Sequence, residues 1–117
     1  MFAMDVWSRE RVLSLAPDRA SARAAAALAQ TQAWSDIGSD PLGVWGLYAG
    51  GSRPYQIVVD HGSPPAYACS CPSRKVPCKH ALALLLRWSA GQVPAGEPPD
   101  FAATWLRARP AHRRQPA

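Results

Sequence analysis

Cys69, Cys71, Cys78 and His80 bring three thiols and an imidazole together within twelve residues, Cys69-Ser-Cys-Pro-Ser-Arg-Lys-Val-Pro-Cys-Lys-His80. The pattern is C-x-C-x6-C-x-H. It uses every cysteine of the chain and one of its three histidines. Three soft thiolates and one imidazole make a complete tetrahedral donor set, the kind Zn²⁺ takes in closed structural sites. Three ordinary buried cysteines with a chance histidine have no reason to cluster in this way. A redox C-x-C pair leaves Cys78 and His80 without a role, and covalent haem attachment needs C-x-x-C-H, which is absent. The expected cofactor is one structural zinc ion.

The spacing dictates the elements that must carry these ligands. Neighbours two apart on a regular strand point to opposite faces, so Cys69 and Cys71 share a metal only if the strand ends or bends between them. Pro72 suits such an ending. Residues two apart on a helix are separated by roughly 200°. Cys78 must therefore sit before or at a helix start, with His80 in the first turn, and Pro77 marks that boundary. Arg74, Lys75 and Lys79 surround a site whose three thiolates and Zn²⁺ carry a net negative charge, and they favour the thiolate forms.

Away from the ligands, Met4 to Leu15 reads as a short helix with Val6, Trp7 and Leu13 turned inward, interrupted by Pro17. Asp18 is the expected N-cap of a second helix over about 19–32, with Ala24, Ala27 and Leu28 on its apolar side. Asp36 to Gly43 reads as a turn. Val44 to Tyr48 and Tyr55 to Val59 flank Gly50-Gly51-Ser52 as a β-hairpin, and after a turn at His61 to Pro65, Ala66 to Cys69 adds a third strand. The run after Cys78 is helical, apolar almost all round and hence buried, with Gly91 as its stop. Gln92 to Pro99 reads as a linker, Asp100 as the cap of a last short helix, and Pro110 to Ala117 as a flexible tail. The expected fold class is α+β: a small zinc-stabilised β-β-α finger with a short antiparallel sheet, preceded by two N-terminal helices and followed by a short C-terminal helix. The expected division is 1–43 helical segment, 44–91 finger, 92–109 linker and helix, and 110–117 tail.

Composition narrows the function classes. The 117 residues are 48% hydrophobic, enough for one domain with a modest core. The longest apolar runs fall far short of the roughly 20 residues of a membrane span, and Met1 to Arg11 lacks the pattern of a signal peptide. With an odd cysteine count, the expectation is a cytoplasmic protein without a disulfide framework or membrane contact. The net charge of +5 is uneven: residues 1–60 hold five basic and six acidic side chains, and residues 61–117 hold eight and two. Eleven of the thirteen cations are arginine, a residue suited to bidentate phosphate or carboxylate contact, although a GC-rich genome yields the same bias.

At the ligand segment the chain resembles the SWIM zinc finger, whose pattern is C-x-C, a variable spacer, then C-x-H on a β-β-α unit. Tyr55-Gln-Ile-Val-Val-Asp60 precedes the first pair, and Pro-Cys-Lys-His-Ala-Leu-Ala-Leu-Leu-Leu closes the second into a helix. The wording Cys-Ser-Cys-Pro-Ser-Arg-Lys, with Trp45-Gly46, Pro54-Tyr55 and Trp105-Leu106, looks like the bacterial SWIM proteins. The resemblance spans about residues 40–110 and implies a zinc-stabilised module that binds nucleic acid or protein, without catalysis.

Three functions follow for comparison. Nucleic-acid binding would use Arg74, Lys75, Lys79, Arg87, Arg107 and Arg109, with Arg113 and Arg114 beyond them, against phosphates. Tyr55, Tyr67 or Trp88 could stack on bases of a single strand, whereas core packing is the plainer role for Trp45, Trp88 and Trp105. A protein adaptor would dock through a sheet edge or a tryptophan-bearing surface. Catalysis has the least support: four good ligands close the metal site, His61 and His112 have no partner at a suggestive spacing, and no phosphate-loop or nucleophile-elbow motif occurs. No small-molecule substrate is expected. Loss of Cys71 or Cys78 is expected to unfold at least Tyr55 to Gly91, with the N-terminal helices surviving.

Overall fold

The computed structural model describes residues 6–62 and 64–109. Four strands, β1 (Trp34–Ser39), β2 (Gly43–Tyr48), β3 (Tyr55–Asp60) and β4 (Ala66–Cys69), form an antiparallel meander in the order β1-β2-β3-β4. Helices α1 (Arg9–Ser14) and α2 (Arg19–Leu28) precede the sheet, and α3 (Lys79–Ser89) and α4 (Asp100–Ala108) follow it. The fold class is α+β, as expected from the sequence. Parts of that reading, the Met4 start of the first helix and the tail at 110–117, lie outside the described residues.

Alternation along β2 and β3 sorts the sheet into two faces. Val44, Ile57 and Val59 point to the face covered by α3, while Trp45 and Val58 point to the other, where they meet Ala102 and Leu106 of α4. Helices α1 and α2 pack on the far side of α3. Helix α3 is thus an inner layer, with strands on one side and helices on the other. That explains its composition: Ala81, Leu82, Ala83, Leu84 and Leu85 are fully buried, although they cover every direction around the helix axis.

Gly46 lies on the same face as Val44. A Cβ there would stand 2.7 Å from Ile37 Cγ2 and 3.4 Å from Leu84 Cδ1, so its hydrogen is what leaves room for the Ile37 side chain of β1 beneath α3. Gly91, with φ +76, ends the α3 segment as anticipated.

Several local expectations need correction. Of the turn expected over Asp36 to Gly43, only 40–42 connects strands, and residues 36–39 belong to β1, which carries a register shift between Ser35 and Gly38 with Asp36 at φ 49. The bulge breaks the period-2 pattern that would have marked the strand. Val6 is 42% exposed, and Val12 is the fully buried residue of α1. Helix α2 ends at Leu28, before position 32, and its buried residues are Ser21 and Ala25; Ala27 is exposed. Asp18 does cap it, accepting the Ser21 N–H at 2.7 Å. At α4 the N-cap is Pro99, with Asp100 one residue inside, where its charge still favours the helix N-terminus. The 92–99 connection is pinned to β1, since Ser39 N–H donates to Pro94 O and Gly96 N–H to Ser39 O.

Candidate metal centre

The zinc-type residues are supplied by the end of β4, the loop that follows, and the start of α3. Cys69 pairs with Ile57 in the β3–β4 register and shares its face, toward α3. Strand β4 ends there. Ser70 stays tied to β3, its N–H donating to Gln56 O at 3.1 Å and its Oγ accepting the Gln56 N–H at 2.9 Å. The chain then turns at Pro72, and the required bend lets Cys71 face the same point as Cys69.

On the other side, Cys78 is the N-cap of α3, its Sγ accepting the Ala81 N–H at 3.4 Å, and His80 lies in the first turn. One ligand atom from each of Cys69, Cys71, Cys78 and His80 falls within 4.8 Å of all the others. Cys78 and His80 are buried, and Cys69 and Cys71 are half-buried.

His80 is held between two rings, Tyr48 at 5.1 Å and Tyr55 at 5.0 Å between centroids. These tyrosines are cross-strand partners at the β2–β3 hairpin, so the sheet register sets the imidazole orientation. His80 Nδ1 is buried with no hydrogen-bond partner among the described residues. A buried nitrogen without a partner is costly in isolation and fits a lone pair committed to a metal. The Cys78 thiol is lowered to about 4, chiefly by hydrogen bonding with Cys69, with further help from His80 and the Ala81 N–H against the effect of burial. The same contact, together with burial, raises Cys69. A thiolate is thus favoured at the helix N-terminus, where Cys78 Sγ accepts the Ala81 N–H. The donor set and burial fit one structural Zn²⁺, and with four protein donors no coordination position is left for water or substrate.

The cationic residues singled out in the sequence divide into two groups. Arg74, Lys75 and Lys79 lie on the zinc loop and the first turn of α3, all exposed. Lys75 Nζ is 2.7 Å from Asp18 Oδ2, which joins the loop to the cap of α2. Arg87 instead turns inward, donating from Nη1 to Ala29 O at 2.8 Å. Arg107 and Arg109 ride on α4, across the sheet from the cysteines. Arg109 Nε is 3.3 Å from the fully buried Asp60 carboxylate, and its guanidinium lies over Trp105. Trp88 is 7% exposed and packs against Trp7 and His61, so core packing is its role and base stacking is not.

Sequence reasoning missed Arg53 and the placement of Tyr48. Arg53 sits in the β2–β3 loop beside Tyr55, and its signal was the hairpin itself, which folds residue 53 back to the metal-site end of the sheet.

Residues 55–89 match the family model of the SWIM zinc finger, a span that runs from the first residue of β3 to the last of α3. The four ligands and their C-x-C-x6-C-x-H spacing all fall inside it. No curated protein and no solved structure matches the chain. Among the described residues no helix is long and apolar enough to cross a membrane.

Proposed function

We propose that this SWIM zinc finger is a non-catalytic module that binds nucleic acid, single-stranded DNA in particular, through the basic surface around its zinc loop. The observation that carries the reading is the exposed set Arg74, Lys75 and Lys79, fixed in place by the metal ligands on either side of them. A rigid loop presenting three cations is organised before a phosphate chain arrives, which lowers the ordering cost of binding. Arg87 and Arg109 contribute to folding instead, because each guanidinium is engaged in a part-buried contact; Lys75 is paired too, with Asp18, but its side chain stays 52% exposed and open to a phosphate. The zinc acts as a structural clamp, and the closed donor set leaves no reaction for it to perform.

The test is a fluorescence-anisotropy titration of the zinc-loaded protein with labelled single- and double-stranded DNA, at low and near-physiological salt. Micromolar or tighter binding with a steep salt slope and a single-strand preference is the expected result. Flat titrations at low salt would leave the cations as counter-charge for the metal site.

A protein-adaptor reading is favoured by one observation: Val76, at the zinc loop, is 71% exposed. A stoichiometric partner that survives nuclease treatment and is lost on Val76→Asp would support that reading over the first.

A further inference from the structure

Three shallow depressions lie end to end along the rim of the metal site. The first runs between α2 and the zinc loop and is bounded by Ala20, Ala24, Ser73, Lys75 and Lys79. The second continues from Ser73 and Lys79 across Cys71 and His80 to Tyr55. The third begins at Tyr55 and reaches Arg53 and Ser70 at the β2–β3 loop. Each shares lining residues with the next, so together they form one track. Their volumes of about 280, 250 and 390 Å³ lie at or below the low end for enclosed ligand pockets, and an extended chain fits a connected run of this kind better than a compact molecule does.

The charge along the track has one sign. Lys75, Lys79 and Arg53 line it, and no acidic residue does. Asp18, just outside the α2 end, is already paired with Lys75. The opposite edge of the sheet is different: the depression beside β1 is lined by Asp36 and Glu97. The molecule therefore presents a cationic rim at the metal-site end of the sheet and an acidic depression beside β1, an arrangement that orients a polyanion. Midway along the track stands Tyr55, half-buried, with its ring braced on His80.

We infer that a single strand of nucleic acid follows this track, its phosphates meeting Lys75, Lys79 and Arg53 in turn and one base stacking at Tyr55. This rests on the nucleic-acid reading above and extends it to Arg53 and Tyr55, which lie outside the zinc loop. A phosphate chain is favoured over an acidic peptide because the aromatic ring sits between the cations, the interleaving that stacking requires.

The experiment compares zinc-loaded full-length wild type, Arg53→Ala, Lys79→Ala and Arg107→Ala, using a labelled single-stranded DNA of about 15 nucleotides. Zinc content and melting curves check that each variant is folded. The expected result is about a 5-fold loss of affinity for Arg53→Ala and Lys79→Ala at low salt, with the slope of log K against log salt shallower by about 0.7 for each. Arg107→Ala, on the other face of the sheet, keeps wild-type binding. Photo-crosslinking with thiothymidine-substituted DNA should mark Tyr55. Lys79→Ala weakened beside an unchanged Arg53→Ala would overturn the track while leaving the nucleic-acid reading in place. Failure of the wild type to bind any strand would overturn that reading itself, and full competition by poly-glutamate would overturn the choice of a nucleic acid over an acidic protein.

Discussion

The Lys75 ammonium lies 2.7 Å from the Asp18 carboxylate, so the loop between two zinc ligands is tied to the N-cap of α2, fifty-seven positions earlier. Asp18 does two jobs with two oxygens, Oδ1 accepting from Ser21 N–H and Oδ2 from Lys75. Asp18→Asn keeps a capping oxygen and loses the ion pair, whereas Asp18→Ala loses both. The expected order of thermal stability is wild type, then Asn, then Ala, with Lys75→Met close to the Asn variant. Equal melts for Asn and Ala would mean that the cap has no effect.

The same pair fixes a pH window. Contact with Lys75, and then with Ser21, lowers the Asp18 carboxyl from 3.8 to about 2. A group whose folded value is depressed contributes stability that is complete above its unfolded value and is lost as pH falls toward its folded one. The Asp18 contribution therefore changes only between about pH 4 and 2. Protonation of the thiolates should release zinc at higher pH. Wild type and Asp18→Asn are expected to lose stability in parallel between pH 7 and 5, measured by melting at each pH. Diverging curves in that range would contradict the assignment.

Removal of the metal should reach farther than the finger. Helices α1 and α2 have α3 as their main packing partner, and α3 is held at its first turn by two ligands. Structural zinc sites contribute about 10–16 kcal/mol of apparent binding free energy, above the usual margin of a domain. Chelation, or Cys78→Ala, is expected to abolish cooperative melting and to take α1 and α2 with it. Persistent helicity and amide protection in residues 9–28 after chelation would restore the simpler expectation that those helices stand alone.

Packing between β1 and β2 on the face toward the inner helix is testable at Gly46. The methyl group of Gly46→Ala would meet Ile37 Cγ2 at 2.7 Å, and overpacking of this kind costs about 1–3 kcal/mol. Adding Ile37→Ala should recover part of that loss, so the two changes would be non-additive in denaturant titrations. Additive effects would place the clash elsewhere.

The metal ligands were legible because cysteine and histidine in that spacing have few other uses, and the strand end and helix start followed from the same spacing. The hairpin was legible from alternation and the paired glycines. β1 was hidden by Asp36, Gly38 and Pro41, which read as a turn because the bulge replaces the usual pattern. The cationic residues were equally visible in the sequence, but their employment was not. Arg87 and Lys79 stand eight apart on one helix, and only the position of α2 turns the former inward to the Ala29 carbonyl. Tertiary packing decides which charges face solvent, and local pattern carries no record of it.

The inner position of α3 also bears on how the chain reaches its fold. The meander pairs each strand with its neighbour in sequence, so its contacts close over short loops. Helix α3 must instead find α2 across a long stretch of chain, as the Arg87 bond to Ala29 spans fifty-eight positions. Long closures carry the greater entropy cost and form later when nothing else assists them. Cys69 arrives with the strands and Cys78 with the helix, so zinc capture and helix docking are one event. The ion then acts as a latch between the finished meander and α3, presenting the helix face on which α2 must dock, and the speed of folding should depend on the supply of metal.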